Sequence, residues 1–325
     1  MDNAYSDALA VLLRDHCTPA RVRAVESGQG GDALWQVLHE SGFADCLLPE
    51  TAGGAALALT DVAPLLFVIG QHALPLPLGQ TMFARAVLHR AGIGIPAGPI
   101  ALASFDAAQR THVSCGATAA WFLVQDGGHA ALVRRAEADV EETGVHGDLT
   151  VSIGRPPVTG FPLAPGALRT MGACVHAAQM AGAMARVFDM TLQYANDREQ
   201  FGRPVGKFQA IQHQISVMAE QVAAVRMAAQ VACASADAWP DPIRVAIGKL
   251  NASDAVATVT AIAHAVHGAI GITEEYDLQL LTRRLHAWRL ADGSERYWAR
   301  EIGAAACEAE AGAVDLIRSW STDAA

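Results

Sequence analysis

Arg198-Glu199-Gln200-Phe201-Gly202-Arg203-Pro204-Val205-Gly206-Lys207-Phe208-Gln209 interrupts an otherwise apolar, alanine-rich helical pattern. Its arginines, glutamines, glycines and proline do not build a core. A polar break of this kind between two long helical segments points to a ligand or a neighbouring subunit. Residues 167–196 lead into it, and 207–238, 240–268 and 293–319 follow it. All four segments are long, and their apolar residues recur at helical spacing. The connections between them are short, which favours antiparallel neighbours. A C-terminal four-helix bundle over residues 161–325 is the expectation.

Upstream, residues 1–95 also read as helical. Segments 5–16 and 32–41 are periodic, and Gly42 is placed to end the second. Leu47-Leu48-Pro49-Glu50-Thr51-Ala52-Gly53-Gly54 is a turn-rich connector. Asp61 is the expected cap of a helix running to Gly70. Leu74-Pro75-Leu76-Pro77-Leu78 is extended, since each proline disfavours helix in the residue before it. A short helix covers 81–91. Residues 96–160 differ: β-compatible runs at 100–104, 120–125, 130–134 and 149–153 are separated by Gly, Pro and Asp. At roughly 8–12 residues per strand and turn, this region holds about five to seven short strands. The fold class is therefore mainly α: an N-terminal helical domain (1–95), a reduced central β domain (96–160) and the bundle.

Of the 325 residues, 52% are hydrophobic and 17% charged, which implies extensive burial between long helices or between subunits. No run approaches the roughly 18 uninterrupted apolar residues of a membrane span. The N-terminus has no basic start with an apolar stretch, so a cytoplasmic protein is expected. The net charge of −10, with no Lys/Arg cluster, argues against nucleic acid as a partner. Six scattered cysteines show no metal spacing and read as reduced thiols. His264 and His267 lie at i, i+3, but no HExxH or third ligand accompanies them, so no metal site is expected. Glu274 and Glu275 read as solvated charge, or as partners of Arg283 or Arg284.

In the opening stretch, Arg198 offers a planar, permanently charged donor fork suited to a pyrophosphate. Gln200 and Gln209 add neutral donors and acceptors. Gly202, Gly268 and Gly271 allow backbone to approach a ligand closely. Without a ligand, Arg198 would pair with Asp197 or Glu199 and Phe201 would be core. Three groups of residues decide between these readings. Tyr194-Ala-Asn-Asp-Arg198-Glu-Gln-Phe-Gly202 with Lys207-Phe208-Gln209-Ala-Ile-Gln212 resembles the Y-x-x-x-R-x-x-F-G and F-Q-x-x-Q motifs of the acyl-CoA dehydrogenase family. Ala265-Val-His-Gly268-Ala-Ile-Gly271 resembles its glycine-rich turn, and Leu281-Thr-Arg-Arg284 the motif after it. Trp35, Gly42, Leu48-Pro49-Glu50 and Gly53-Gly54 match near the N-terminus.

The resemblance implies an FAD cofactor, clasped across a subunit interface by Arg198, Gln200, Phe201, Gln209 and Gly268, with Ser294 as a further contact. It implies α,β-dehydrogenation of an acyl-CoA thioester, in which a carboxylate removes the α proton. An ungapped alignment from Ala265 places Asp292-Gly293-Ser294 at the family's E-G-T motif, so Asp292 is the candidate base. Aspartate shortens the reach by about 1.5 Å, a misplacement that can cost on the order of 100-fold in rate. Asp292 also reads as an N-cap for segment 293–319. Other members carry the base on the helix before Arg198; that position falls near Gly172, with no carboxylate close by.

Three departures follow. Ala265 and Ala269 replace a glutamine and a glycine of the turn. The β region carries no T-E-x-x-x-G-S motif; Ala103-Ser104-Phe105-Asp106 is the nearest text. This pattern resembles the short subunit of heteromeric α2β2 acyl-CoA dehydrogenases of steroid type. It implies a homologous longer partner chain, a shared flavin site and a bulky acyl-CoA substrate. Two alternatives stand beside it: a self-sufficient homo-oligomer using Asp292, and a flavin-free structural subunit.

Overall fold

The computed structural model describes residues 4–321. Five helices open the chain: α1 (Ala4–His16), α2 (Pro19–Glu26), α3 (Gly31–Glu40), α4 (Leu59–Gln71) and α5 (Leu78–Arg90). The Thr18 hydroxyl caps α2 by accepting from Arg21 N, with Pro19 at the first helical position. Gly42 follows α3 at φ 78°, the left-handed conformation that lets a helix end there. The N-cap position of α4 falls on Ala58, and Asp61 lies inside the helix's first turn. That helix starts at Leu59, and its first donors, Leu59 N and Thr60 N, reach the carbonyls of Asp237 (2.8 Å) and Ser235 (3.3 Å). A distant loop thus supplies the acceptors that a capping side chain normally provides.

Seven strands follow: β1 (Ile100–Phe105), β2 (Arg110–Val113), β3 (Trp121–Asp126), β4 (His129–Arg134), β5 (Val140–Glu142), β6 (Val151–Gly154) and β7 (Phe161–Pro162). They form a four-stranded sheet in the order β1-β3-β4-β7 and a three-stranded sheet in the order β2-β6-β5. Among the described residues, only β1 and β3 pair in parallel. Alternation along β1 serves two cores: Ala101, Ala103 and Phe105 face the second sheet, and Ile100 and Leu102 join the helical core. The open edge of β1 is covered by α5. Gln80 Oε1 accepts from Leu102 N (2.7 Å) and Thr81 Oγ1 from Ile100 N (2.9 Å), so the edge donors are satisfied without another strand.

The last third is helical: α6 (Ala167–Asp197), a hairpin of β8 (Glu199–Gln200) and β9 (Arg203–Pro204), then α7 (Gln209–Ala232), α8 (Pro242–His267), α9 (Leu278–Leu290), α10 (Glu295–Glu308) and α11 (Ala313–Ser321). Gln125 ties the β region to the start of α6, accepting from Leu168 N (2.9 Å) and donating to the Ala164 carbonyl (2.6 Å). Asp241 caps α8 through Ile243 N and Arg244 N. Segment 293–319 is not one helix: α10 ends at Glu308, Ala309 is extended, and Gly312 precedes α11. Helix α9, outside the four expected segments, packs against both α6 and α8, while α10 packs on α8. By length and composition the stretch Pro242–Ile272, which is α8 and the turn after it, is long and apolar enough to cross a membrane. Here α6, α7, α9 and α10 pack around it, which accounts for its apolarity.

A carboxylate locks the three regions together. Glu26, almost wholly buried at the end of α2, pairs with Arg283 (2.7 Å) and Arg284 (3.1 Å) of α9. Arg283 donates to the His146 carbonyl and Arg284 to the Cys115 sulfur, both in the β region. Glu274 pairs instead with His146.

Candidate active site

The predicted clasp residues gather at one end of the bundle. Phe201 (φ 52°) and Gly202 (φ 78°) form the two-residue tip of the β8–β9 hairpin. Two successive positive φ values give the type I′ geometry that suits such hairpins. A phenylalanine in the left-handed region costs roughly 1–2 kcal/mol, yet Phe201 is 91% exposed. It is not core. Arg198 and Gln200 are exposed beside it, and among the described residues Arg198 makes no ion pair with Asp197 or Glu199. Gln209 is the first residue of α7 and also exposed. Gly268, at φ 63° and ψ −144°, ends α8 with open space where a Cβ would stand.

An aromatic stack fixes the hairpin relative to the glycine turn. The Tyr194 ring lies 4.5 Å from that of His267, and Tyr276 closes on both. Tyr194 O accepts from Arg198 N, and His267 immediately precedes Gly268. Burial lowers the pKa of His267, against the opposing pull of the hydrogen bond from its Nδ1 to the Ala263 carbonyl (2.7 Å). The donor set of arginine, two amides and an uncrowded glycine fits an anionic dinucleotide.

Asp292 lies elsewhere, at the opposite end of α6. It occupies a left-handed turn (φ 54°) after α9, and its side chain is 15% exposed. Its Oδ2 is 3.0 Å from Nδ1 of His176 on α6, outside hydrogen-bond alignment. A Cβ on Gly172 would fall 2.5 Å from its carboxylate carbon. Asp292 is not the cap of α10; Ser294 holds that position without a side-chain hydrogen bond. Gly172 and Arg198 stand about 39 Å apart along the helix at roughly 1.5 Å per residue.

Three further features meet here. Lys249 of α8 is fully buried and donates to the Arg289 and Gly293 carbonyls and to Ser253 Oγ. Burial pushes its ammonium down to about 7, against the opposing pull of Asp292 and Glu295. The Trp288 ring stands 6.2 Å from that of His176. Trp288 also lines a cleft of about 650 Å³ between the β region and α9, with Ser114, Cys115, Arg284, His264 and His286. Burial lowers the pKa of His264 and His286, and raises that of the Cys115 thiol against the pull of Arg284. Sequence reasoning missed His176, Lys249, Trp288 and the Ser114–Cys115 wall. A lysine inside an alanine- and valine-rich helix was the one available signal.

The chain is similar to known proteins in both sequence and fold. Residues 159–307 match the family model for the C-terminal domain of acyl-CoA dehydrogenases. The chain is 32% identical to acyl-CoA dehydrogenase IpdE2 of Mycobacterium tuberculosis over 301 residues, 86% of this chain and 89% of that protein. A solved variant of the steroid ACAD Tcur3481–Tcur3483 is 25% identical, with a TM-score of 0.80 over 93% of this chain and 96% of the other. The ChsE4–ChsE5 complex from M. tuberculosis superposes with a TM-score of 0.80 at 20% identity, over 96% of this chain and 99% of the other.

Proposed function

The chain belongs to the acyl-CoA dehydrogenase family, and we propose that it is one subunit of an FAD-dependent heteromer that dehydrogenates a bulky, steroid-derived acyl-CoA. One observation carries this reading. The clasp and Asp292 occupy opposite ends of the 31-residue helix α6, farther apart than an extended flavin dinucleotide reaches. Within one chain they cannot serve the same flavin, so each needs its complement from a second chain. The exposure and strain of Phe201 agree: a partner surface would cover it. The relatives with two different chains, ChsE4–ChsE5 and Tcur3481–Tcur3483, support a homologous rather than identical partner. The missing T-E-x-x-x-G-S text makes the longer partner the source of the flavin-ring contacts.

In the clasp half, Arg198 holds the pyrophosphate while Gln200, Gln209 and the Gly268 backbone orient the dinucleotide. In the other half, Asp292 accepts the α proton of the thioester, with Ser294 at the edge of the flavin site. Gly172 leaves room for the carboxylate, and Trp288 with the wall of α6 keeps water from it. FAD, when bound, supplies the acceptor for the electron pair that leaves with the β hydrogen. The product is the α,β-unsaturated thioester.

Co-expression with a longer homologous chain tests the reading. A colourless chain that becomes yellow and active only in the complex supports it. Flavin and turnover in this chain alone would establish a self-sufficient enzyme. A complex indifferent to every clasp substitution would leave a structural subunit. Asp292→Ala in the complex tests the base, and unchanged turnover would assign proton abstraction to the partner.

A further inference from the structure

We propose that Lys249 is a positioning residue: it fixes the left-handed turn that aims the Asp292 carboxylate. The inference rests on the reading of Asp292 as base.

A lysine with no exposed surface is rare unless its charge is fully engaged. All three ammonium donors of Lys249 are used: Ser253 Oγ at 2.9 Å, Arg289 O at 3.0 Å and Gly293 O at 2.9 Å. The two carbonyls bracket Asp292. Arg289 O belongs to the last turn of α9, where carbonyls lack helical partners. Gly293 O belongs to the residue immediately after Asp292. One charged group from a neighbouring helix therefore ties both ends of a five-residue turn. Ser253 reinforces it by donating to the same Arg289 carbonyl (3.3 Å).

The turn needs such a tie. Asp292 has φ 54° and Gly293 φ 104°, two successive residues in conformations that side chains disfavour. Gly293 has no alternative, because a Cβ there would lie 2.7 Å from the rings of Tyr297 and Trp298. Behind the turn, Arg289 pairs with Glu295 at the start of α10, closing the loop on its outer side. If Lys249 is removed, Ser253 still reaches the Arg289 carbonyl, but the Gly293 carbonyl loses its tie and the carboxylate its fixed position over Gly172. Misplacement of a base by about 1 Å costs on the order of 100-fold in rate without weakening substrate binding in proportion.

The test uses the complete heteromeric enzyme carrying Lys249→Met, Asp292→Ala or both. Expected for Lys249→Met is a kcat lowered about 10- to 100-fold with KM changed less than about threefold. Backbone amides of 289–294 should exchange about tenfold faster, with α8 still protected. In the Asp292→Ala background, Lys249→Met should lower kcat no further. A merely structural lysine would reduce stability everywhere and add its effect to that of Asp292→Ala. If Lys249→Met does not fold, Ser253→Ala should show the same pattern more weakly, about three- to tenfold in kcat. Unchanged exchange in 289–294, or additive losses, overturns the role of Lys249 alone. Full turnover by Asp292→Ala overturns the base reading and the positioning role with it.

Discussion

The carboxylate of Asp292 rests on Gly172: a Cβ built on that glycine would stand 2.5 Å from Asp292 Cγ. The two chain positions from which this family draws its base, one after the glycine-rich turn and one on the helix before Arg198, thus meet in a single contact. A carboxylate at 292 requires the absence of a side chain at 172. The shorter reach of aspartate leaves it seated on α6 and beside His176.

Gly172→Ala should therefore act on a residue 120 positions away. The methyl group must push the Asp292 turn outward or shift α6. Either movement should cost roughly 1–3 kcal/mol, in the range of an overpacked core. Urea unfolding measures that cost. Turnover of the assembled enzyme should fall further than the stability loss explains, because the carboxylate has moved.

Glu26→Ala should be among the most damaging single changes. It removes the shared partner of Arg283 and Arg284 and leaves the Arg284 guanidinium buried without its carboxylate. Breaking a buried pair from one side costs about 3–5 kcal/mol. Thermal unfolding of Glu26→Ala should begin at a clearly lower temperature. An unchanged transition would show that the clamp contributes little.

Stability should rise with pH above neutrality, and Lys249 should be the cause. Its pKa is lowered to about 7 in the folded protein and is about 10.4 when unfolded. Between these values the unfolded chain binds more protons, so the unfolding free energy increases with pH, at most by about 1.4 kcal/mol per unit. Asp292, Glu295 and Arg289 face the ammonium and share in setting this window, with His176 beside Asp292. Above about 9 the trend reverses, since Cys17 and Cys46 are pushed up to about 12 by burial and the unfolded chain then loses thiol protons first. Denaturant titrations at pH 7 and 9 should show the rise in the native protein and none in Lys249→Met.

Arg198→Ala and Phe201→Ser should leave folding untouched. Both side chains are exposed, so unfolding midpoints should stay within about 0.5 kcal/mol of the parent. The assembled complex should instead lose flavin on dilution, read by visible absorbance after gel filtration. Retention of the full flavin complement by both variants would remove the hairpin from the cofactor site.

Much of the helical architecture was legible because it depends on local periodicity and punctuation. Gly42 ends α3 because a left-handed residue is needed there, and the C-terminal segments repeat their apolar residues at helical spacing. The motif stretch stands out in the sequence for the opposite reason: Arg198 and Gln200 are polar where the pattern demands core, while the exposure of Phe201 is seen only in the structure. Asp61 and segment 293–319 were misread. The donors of α4 are satisfied by carbonyls of a loop more than 170 residues away, and no proline marks the break after Glu308. The pairing of Glu26 with Arg283 and Arg284, rather than Glu274 or Glu275, is likewise a long-range choice.

By itself the sequence determined that this chain is a mainly helical relative of the acyl-CoA dehydrogenases whose glycine-rich turn and β region depart from the family's motifs, because motifs and periodicity are properties of neighbouring residues. Only the tertiary structure decided how those motifs stand to one another. It set the clasp and Asp292 at opposite ends of α6, and it gathered Gly172, His176, Lys249 and Asp292 at one of those ends. Such distances arise from helix packing and burial, which bring together residues that no spacing along the chain connects.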